Sequence, residues 1–153
     1  MPVAVRRALR WFPFLAVTLV LAGCGGRAAS GEVTESEAYE RVDSYVRRAA
    51  MALPNAELEE AAPAASGPCR GEPRDRVVVR NTYWVRGVAD DDRHFDTMVG
   101  WWEDNGFEVV RDLRPTRHYV WVESTADGFR MSLRDNDKGE LLLGAESPCV
   151  ATG

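Results

Sequence analysis

The second half of the sequence contains four short strand-like runs separated by turn-forming residues. The runs are Phe107–Asp112, Tyr119–Ser124, Phe129–Asp135 and Glu140–Ala145. The segments RPT, ADG and DNDKG between them carry the proline, glycine, asparagine and aspartate that favour tight turns. Strands joined by short turns pair antiparallel, because a parallel neighbour needs a crossover of a dozen or more residues. This half of the chain is therefore predicted to form an antiparallel sheet.

Two amphipathic helices are predicted upstream of these runs. The first is placed at about 35–52, behind a capping box formed by Thr34 and Glu37, and Pro54 stops it. The second helix follows the acidic residues ADDD, which suit the positive end of a helix dipole. Its apolar stripe has helical spacing and consists of Phe95, Met98, Val99 and Trp102.

A strand and a long loop complete the predicted order of elements. Residues 54–75 are rich in Ala, Pro, Gly and Glu and read as a loop, with room for a turn of helix at Glu57 to Ala61. Arg76–Arg86 alternates as a strand. The order is α-β-α-β-β-β-β, which predicts a two-layer α+β domain over residues 34–149. We expect a mostly antiparallel five-stranded sheet with both helices on one face.

The N-terminus has the pattern of an export signal. Three arginines, with no acidic residue before Glu32, precede an apolar run from Trp11 to Ala22. A membrane-spanning helix needs roughly 20 apolar residues, so this run is too short and matches a signal-peptide core instead. The run ends in LAGC at 21–24, which resembles the lipobox of bacterial lipoproteins, with small residues before an obligatory cysteine.

The lipobox resemblance implies an address at the cell envelope. Residues 1–23 would be removed as a signal peptide, the Cys24 thiol would carry a diacylglycerol, and residues 24–33 would form a flexible tether. Two acyl chains anchor a protein stably where one does not, so we expect membrane attachment on the outer face of the cell membrane. Export would use the Sec route, or the twin-arginine route suggested by Arg6 and Arg7. An ordinary secretory signal, with Cys24 as a stray thiol, is the alternative.

The later part of the chain carries a second, looser resemblance. The segments WWEDNGFEVV, STADGFRMSLRD and GAESPCV look like parts of small secreted lipoproteins of high-GC Gram-positive bacteria, which carry no assigned activity. A single lysine beside 18 arginines also indicates GC-rich coding. This resemblance implies a fold and an envelope address but no reaction.

Two further cysteines predict a disulfide bond. Cys69 and Cys149 form an even pair in a chain that we expect to be exported, and exported compartments are oxidising. Two free thiols are the alternative. Neither cysteine has a histidine or another cysteine at metal-ligand spacing, so no metal site is assigned to them.

Charge excludes two classes of partner. Removal of residues 1–23, which hold three arginines and no acids, lowers the formal net charge from −5 to −8. Nucleic-acid binders show basic patches, so no nucleic acid partner is expected. Anionic lipid would repel such a surface, so the membrane is expected to be a partner through the lipid anchor alone.

No catalytic motif stands out. The sequence lacks G-x-S-x-G, a P-loop, G-x-G-x-x-G and H-E-x-x-H. We therefore assign no catalytic residue, no metal site and no cofactor. DNDKGE at 135–140 resembles a calcium loop but has Glu140 where glycine is needed, so a hairpin turn is preferred. An accessory or hydrolytic enzyme using Asp90, Asp92 or Glu103 remains an alternative.

Aromatic and cationic residues suggest a binding surface. Trp84 and Trp121 fall on the strand face opposite the main apolar residues, and an antiparallel sheet can leave one face uncovered. The candidate binding residues are Trp84, Trp121, Trp101, Arg80 and Arg86, since Trp and Arg dominate binding hot spots. The alternatives are that this face is buried or that residues 54–75 cover it. We expect a non-catalytic domain that binds an envelope protein or a glycan, or else a structural subunit of an envelope complex.

Overall fold

The computed structural model describes residues 32–71, 75–89 and 91–152. The signal peptide predicted at 1–23, the predicted lipidation site Cys24, most of the predicted tether and Asp90 lie outside these residues. Within them the chain forms two helices, α1 (Glu35–Ala50) and α2 (Asp92–Asp104). The strands are β1 (Glu57–Pro68), β2 (Arg76–Arg86), β3 (Phe107–Asp112), β4 (Tyr119–Ser124), β5 (Arg130–Asp135), β6 (Leu141–Glu146) and β7 (Val150–Ala151).

One sheet contains all the named strands. Its order is β1-β2-β6-β5-β4-β3, with β7 paired to β2, and every pair of named strands is antiparallel. Strands β3 to β6 follow one another through short turns, as the sequence predicts. The α+β class and the antiparallel sheet are thus confirmed. The predicted number of five strands is wrong, because the described chain forms six main strands and the short β7.

The main correction concerns the predicted loop at 54–75. Residues Glu57–Pro68 form β1, an edge strand paired with β2, and no helical turn lies at Glu57 to Ala61. Its sequence, ELEEAAPAASGP, has low strand propensity and no period-two pattern. The register shifts between Glu60 and Ala65, around Pro63, which fits the rule that proline enters a sheet at edges and bulges. Pairing with β2 therefore outweighs local preference.

The capping box at the start of α1 is present. The Thr34 hydroxyl accepts a hydrogen bond from the Glu37 N–H at 3.3 Å, and the Glu37 carboxylate accepts one from the Thr34 N–H at 2.9 Å. The helix ends at Ala50, slightly earlier than expected. Its buried side packs mainly on β2 and β6 and consists of Ala38, Val42, Val46, Ala49 and Ala50.

Helix α2 begins at an aspartate cap. The Asp91 carboxylate accepts a hydrogen bond from the His94 N–H at 3.1 Å. Phe95, Met98 and Trp102 are fully buried, in agreement with the predicted stripe. The helix contacts β3 and β4, and the Trp102 indole N–H lies 3.3 Å from the sulfur of Met131 on β5.

The sheet has two chemically different faces. The core face carries side chains that belong to one hydrophobic cluster with both helices, among them Val79, Val85, Val122, Leu133 and Leu143. The outer face carries the residues that alternate with these. On β4, buried Val120 and Val122 alternate with half-buried Tyr119 and Trp121. Trp84 also alternates with buried neighbours, as expected from the sequence.

Candidate functional site

Cys69 and Cys149 are brought together at disulfide distance, with their Cα atoms 6.0 Å apart. Cys69 directly follows β1, and Cys149 directly precedes β7. Arg76 supports the same junction, since its guanidinium donates to the Cys149 carbonyl at 2.6 Å and its carbonyl accepts from the Cys69 N–H at 3.3 Å. The pair predicted from the sequence therefore links the end of the edge strand β1 to the last strand.

A trough of about 310 Å³ crosses the outer face of the sheet. Its residues come from β2, β6, β5 and β4, all of which are inner strands. A row of four residues, each opposite the next in the register, runs across it: Thr82, Gly144, Ser132 and Trp121. The other side chains that line the trough include Arg80, Tyr119, Arg130, Arg134, Leu142 and Glu146.

Gly144 keeps the floor of the trough low. A Cβ atom at this position would lie 3.3 Å from the Thr82 hydroxyl oxygen and 3.6 Å from the Ser132 hydroxyl oxygen. Neither hydroxyl donates to or accepts from another described residue. Two hydroxyl groups on either side of a glycine are thus available to hydrogen-bond a ligand.

Aromatic side chains form one side of the trough. Tyr119 and Trp121 stand two residues apart on β4 and are both partly exposed. The Arg130 guanidinium lies 5.1 Å from the centre of the Trp121 ring, within cation–π range. This contact favours the observed orientation of the indole at the edge of the trough.

Charges alternate across one end of the trough. Arg80, Glu146, Arg130 and Glu123 occupy successive cross-strand positions on β2, β6, β5 and β4. The distances between oppositely charged groups are 2.5 Å for Arg80–Glu146, 4.0 Å for Arg130–Glu146 and 2.7 Å for Arg130–Glu123. We call this row the charge ladder. Each arginine of the ladder has a carboxylate partner.

Arg134 differs from the arginines of the charge ladder. It lies opposite Tyr119 on one side and Leu142 on the other. It is exposed, and no carboxylate in the described part of the chain forms a salt bridge with it. Arg134 is therefore the cation of the trough whose charge no described side chain offsets.

The structure separates the binding residues that were predicted together. Arg80 and Trp121 line the trough, and Trp84 lies beside it, opposite Leu142. Trp101, on α2, packs against the hydrophobic core and does not join them. The predicted group is thus divided between the trough, its border and the helix.

Trp84 and Arg86 form their own cluster next to the trough. The Arg86 guanidinium lies 5.2 Å from the Trp84 ring centre. It also donates to Glu59 at 2.7 Å and to Glu140 at 2.8 Å. These hydrogen bonds raise the pKa of Arg86 above its usual value, and the bond to Glu59 has the larger effect. Arg86 is therefore engaged in holding β1 and the β5–β6 turn to β2.

Sequence reasoning missed most of the residues that line the trough, among them Thr82, Ser132, Arg134 and Gly144. One signal was available, because each alternates with buried residues on its strand. The glycine in LLLGAE also interrupts an otherwise apolar strand, which often marks a close approach of backbone or ligand. These four residues lie together because β6 pairs with β2 on one side and with β5 on the other. Periodicity within one strand does not reveal that pairing.

A second polar cluster joins α1 to the core face of β2. The Tyr83 hydroxyl donates to Asp43 at 2.5 Å, and the Asn81 amide donates to the Tyr83 oxygen at 3.2 Å. A hydrogen bond from Arg47 holds the pKa of Asp43 below its usual range. Burial raises the pKa of Tyr83, and its hydrogen bond to Asp43 adds to this. The side-chain oxygen of buried Asn81 has no hydrogen-bond partner among the residues that the structure describes.

The carboxylates considered for an enzyme do not converge. Asp92 and Glu103 lie at opposite ends of α2, and a rise of 1.5 Å per residue puts them about 16 Å apart along the helix. Asp90 lies outside the described residues. In the ranges that the structure covers, no three His, Cys, Asp or Glu residues are placed to hold a metal ion. Residues 136–140 form the β5–β6 turn, where Asn136 accepts from the N–H groups of Lys138 and Glu140.

Comparison with known proteins supplies no relative. No family model, curated protein or solved structure matches the chain at a significant level. Among the described residues, neither helix is long and apolar enough to cross a membrane.

Proposed function

We propose that this chain is a lipid-anchored protein of the cell envelope whose domain binds a ligand in the trough and catalyses no reaction. The observation that carries the binding role is the trough itself. It combines two hydroxyl groups and a guanidinium that have no partner among the described residues with an indole that lies in cation–π contact with Arg130. Small-molecule sites commonly combine apolar or aromatic walls with a few convergent polar groups.

The proposal takes both helices to lie on the core face of the sheet. Buried side chains of α1 and α2 belong to the same hydrophobic cluster as Val79, Val122 and Leu133, which supports this placement. Both helices on one side would leave the outer face to solvent and ligands, as antiparallel sheets allow.

The sequence supports the proposed anchor. LAGC at 21–24 follows a basic segment and a short apolar run, and the mature chain would carry a net charge of −8. An acidic protein gains nothing from anionic lipid headgroups, so covalent acyl chains would supply membrane attachment. The residues that follow Cys24 would hold the domain away from the bilayer.

Intact-mass spectrometry of the native protein extracted from membranes tests the anchor. We expect the mass of residues 24–153 plus a diacylglyceryl group, and a gain of two hydrogens on reduction of the Cys69–Cys149 bond. A Cys24→Ala variant should lose the lipid mass and leave the membrane fraction. Full-length or unlipidated wild-type protein would contradict the proposal.

A further inference from the structure

We infer that the ligand of the trough is an acidic glycan, whose carboxylate pairs with Arg134 and whose hydroxyl groups bond Thr82 and Ser132. This inference rests on the proposed function, since it assigns a ligand class to the same trough. Three features of the site support it: its local charge, the position of its strands and the kind of side chains it presents.

The trough is a basic site in an acidic protein. Its lining includes three arginines and one glutamate, whereas the whole chain has a formal net charge of −5. The charge ladder pairs Arg80 and Arg130 with carboxylates, but Arg134 stays unpaired among the described residues. A planar guanidinium binds a carboxylate through two parallel hydrogen bonds, which gives strength and direction. Charge complementarity therefore favours an anionic ligand at Arg134.

The position of the trough disfavours a peptide strand as its ligand. All four contributing strands lie inside the sheet, so their backbone groups are paired with neighbours on both sides. Peptides that add to a sheet need an exposed edge, and helical peptides need an apolar groove. The trough offers neither, because polar side chains line much of it. Recognition there must use side chains alone.

The side chains suit a sugar chain. Ser132 and Thr82 offer hydroxyl groups on either side of Gly144, and these can donate to or accept from sugar hydroxyl groups. Trp121 and Tyr119 supply apolar surface with a polar atom at the rim, which matches the mixed character of a sugar ring. A volume of about 310 Å³ lies at the small end of ligand pockets, so a short stretch of glycan fits.

Isothermal titration calorimetry on the full chain in detergent tests this inference. The probes are a tetramer of galacturonic acid, its carboxyl-reduced galactose counterpart and a tetraglutamate peptide. We expect the uronate tetramer to bind, and the reduced sugar and the peptide to bind at least about tenfold more weakly. Loss of one hydrogen bond to a charged group corresponds to a change in affinity of about this size.

Variants assign the contacts. Arg134→Gln should weaken uronate binding about 10- to 100-fold, while Arg117→Gln, an exposed arginine outside the trough, should leave it unchanged. Ser132→Tyr should abolish binding by filling the trough, with Ser66→Tyr on the exposed edge strand as its control. Thr82→Val keeps the β-branched shape and removes one hydroxyl, so it tests the trough even if Ser132→Tyr fails to fold.

The outcomes separate this inference from the proposed function. Equal binding of both sugars, with Arg134→Gln silent, would overturn the carboxylate contact, and a preference for tetraglutamate would overturn the glycan. In either case, loss of binding in Ser132→Tyr or Thr82→Val would keep the trough as the binding site. Uronate binding that none of Arg134→Gln, Ser132→Tyr and Thr82→Val weakens would overturn the inference, and so would the absence of binding to any probe. The first of these would also remove the trough as the site of the proposed function.

Discussion

The two faces of the sheet use the same alternation of residues for different purposes. On β5, Met131 and Leu133 are 1% and 0% exposed and belong to the core, whereas Arg130, Ser132 and Arg134 between them line the trough. Neighbouring residues of one strand thus divide into those that pack in the core and those whose side chains line the trough. Substitutions on the core face should therefore appear in unfolding measurements, and those on the outer face in binding measurements.

The energies of the two faces reinforce this difference. Full burial of a large apolar side chain contributes roughly 1.5–3 kcal/mol. Exposed ion pairs of the kind found in the charge ladder contribute about 0.2–1 kcal/mol each. The charge ladder is thus a weak source of stability, although it pairs two of the arginines that line the trough, Arg80 and Arg130, with carboxylates and places Arg130 against the Trp121 ring.

Paired tryptophan substitutions give the largest expected contrast between the faces. Trp102 is fully buried, so Trp102→Ala should lower the free energy of unfolding by about 3–5 kcal/mol through loss of burial and creation of a cavity. Trp121→Ala on the outer face should lower it by less than about 1 kcal/mol. Urea denaturation followed by circular dichroism measures both. Equal losses would show that the outer face is part of the core.

Removal of both cysteines tests how much the disulfide that holds the end of β1 contributes to the free energy of unfolding. The double variant Cys69→Ala/Cys149→Ala should lose about 2–5 kcal/mol of stability, because the bond restricts the unfolded chain. The urea midpoint of the variant should match that of the wild-type protein under reductant. An unchanged midpoint in both samples would contradict a stabilising disulfide.

Asp127 should make the stability of the core side of the molecule depend on pH. Its carboxylate accepts from the Tyr45 hydroxyl at 2.9 Å and from Arg41 at 3.1 Å, which ties α1 to the β4–β5 turn. Burial alone would raise the pKa of Asp127, but hydrogen bonds from Ser124, Tyr45 and others outweigh it and lower the pKa. Stability from this group is therefore present above the unfolded pKa of 3.8 and is lost as pH falls through the folded value.

We expect Asp127→Asn to lower stability at neutral pH by about 1.5–3 kcal/mol, the range for hydrogen bonds to a charged group. The variant should also lose less further stability than the wild-type protein as the pH falls below about 4. Urea titrations across this range, with Asp137→Asn in the β5–β6 turn as the control, measure both effects. A pH profile identical to that of the wild-type protein would rule out this role.

The charge ladder should give the smallest effect. Glu146→Gln removes the shared acceptor of Arg80 and Arg130, yet it should change stability by less than about 1 kcal/mol, and less still near 1 M salt. Glu103→Gln, on the exposed end of α2, is the matched control. A loss of several kcal/mol that persists in high salt would mean that the ladder is buried and structural, which would weaken the contrast between the faces.

Local signals were sufficient for most of the fold. Thr34 and Glu37 marked the start of α1, and the spacing of Phe95, Met98 and Trp102 marked α2, because these patterns depend on residues close in sequence. The edge strand β1 escaped prediction, since its alanines, glutamates and prolines form a strand only through pairing with β2. The number of strands was therefore wrong although the class was right.

The candidate site was less accessible to prediction than the fold. Alternation placed Trp84 and Trp121 on one face, but it could not tell that they occupy different cross-strand rows. Gly144, Ser132 and Thr82 meet only because β6 inserts between β2 and β5. Such neighbours are set by long-range register, so the trough becomes visible only in the folded sheet.

Hydroxyl-radical footprinting of the native envelope tests the central claim most directly, because it detects an occupied trough whatever the ligand is. Oxidation of Tyr119 and Trp121 would be compared between intact envelopes and the purified full chain, with half-buried Trp101 as the internal reference. Our account predicts that Tyr119 and Trp121 are protected in the envelope and reactive after purification, while Trp101 is unchanged. Equal oxidation of Tyr119 and Trp121 in both samples would contradict a ligand in the trough.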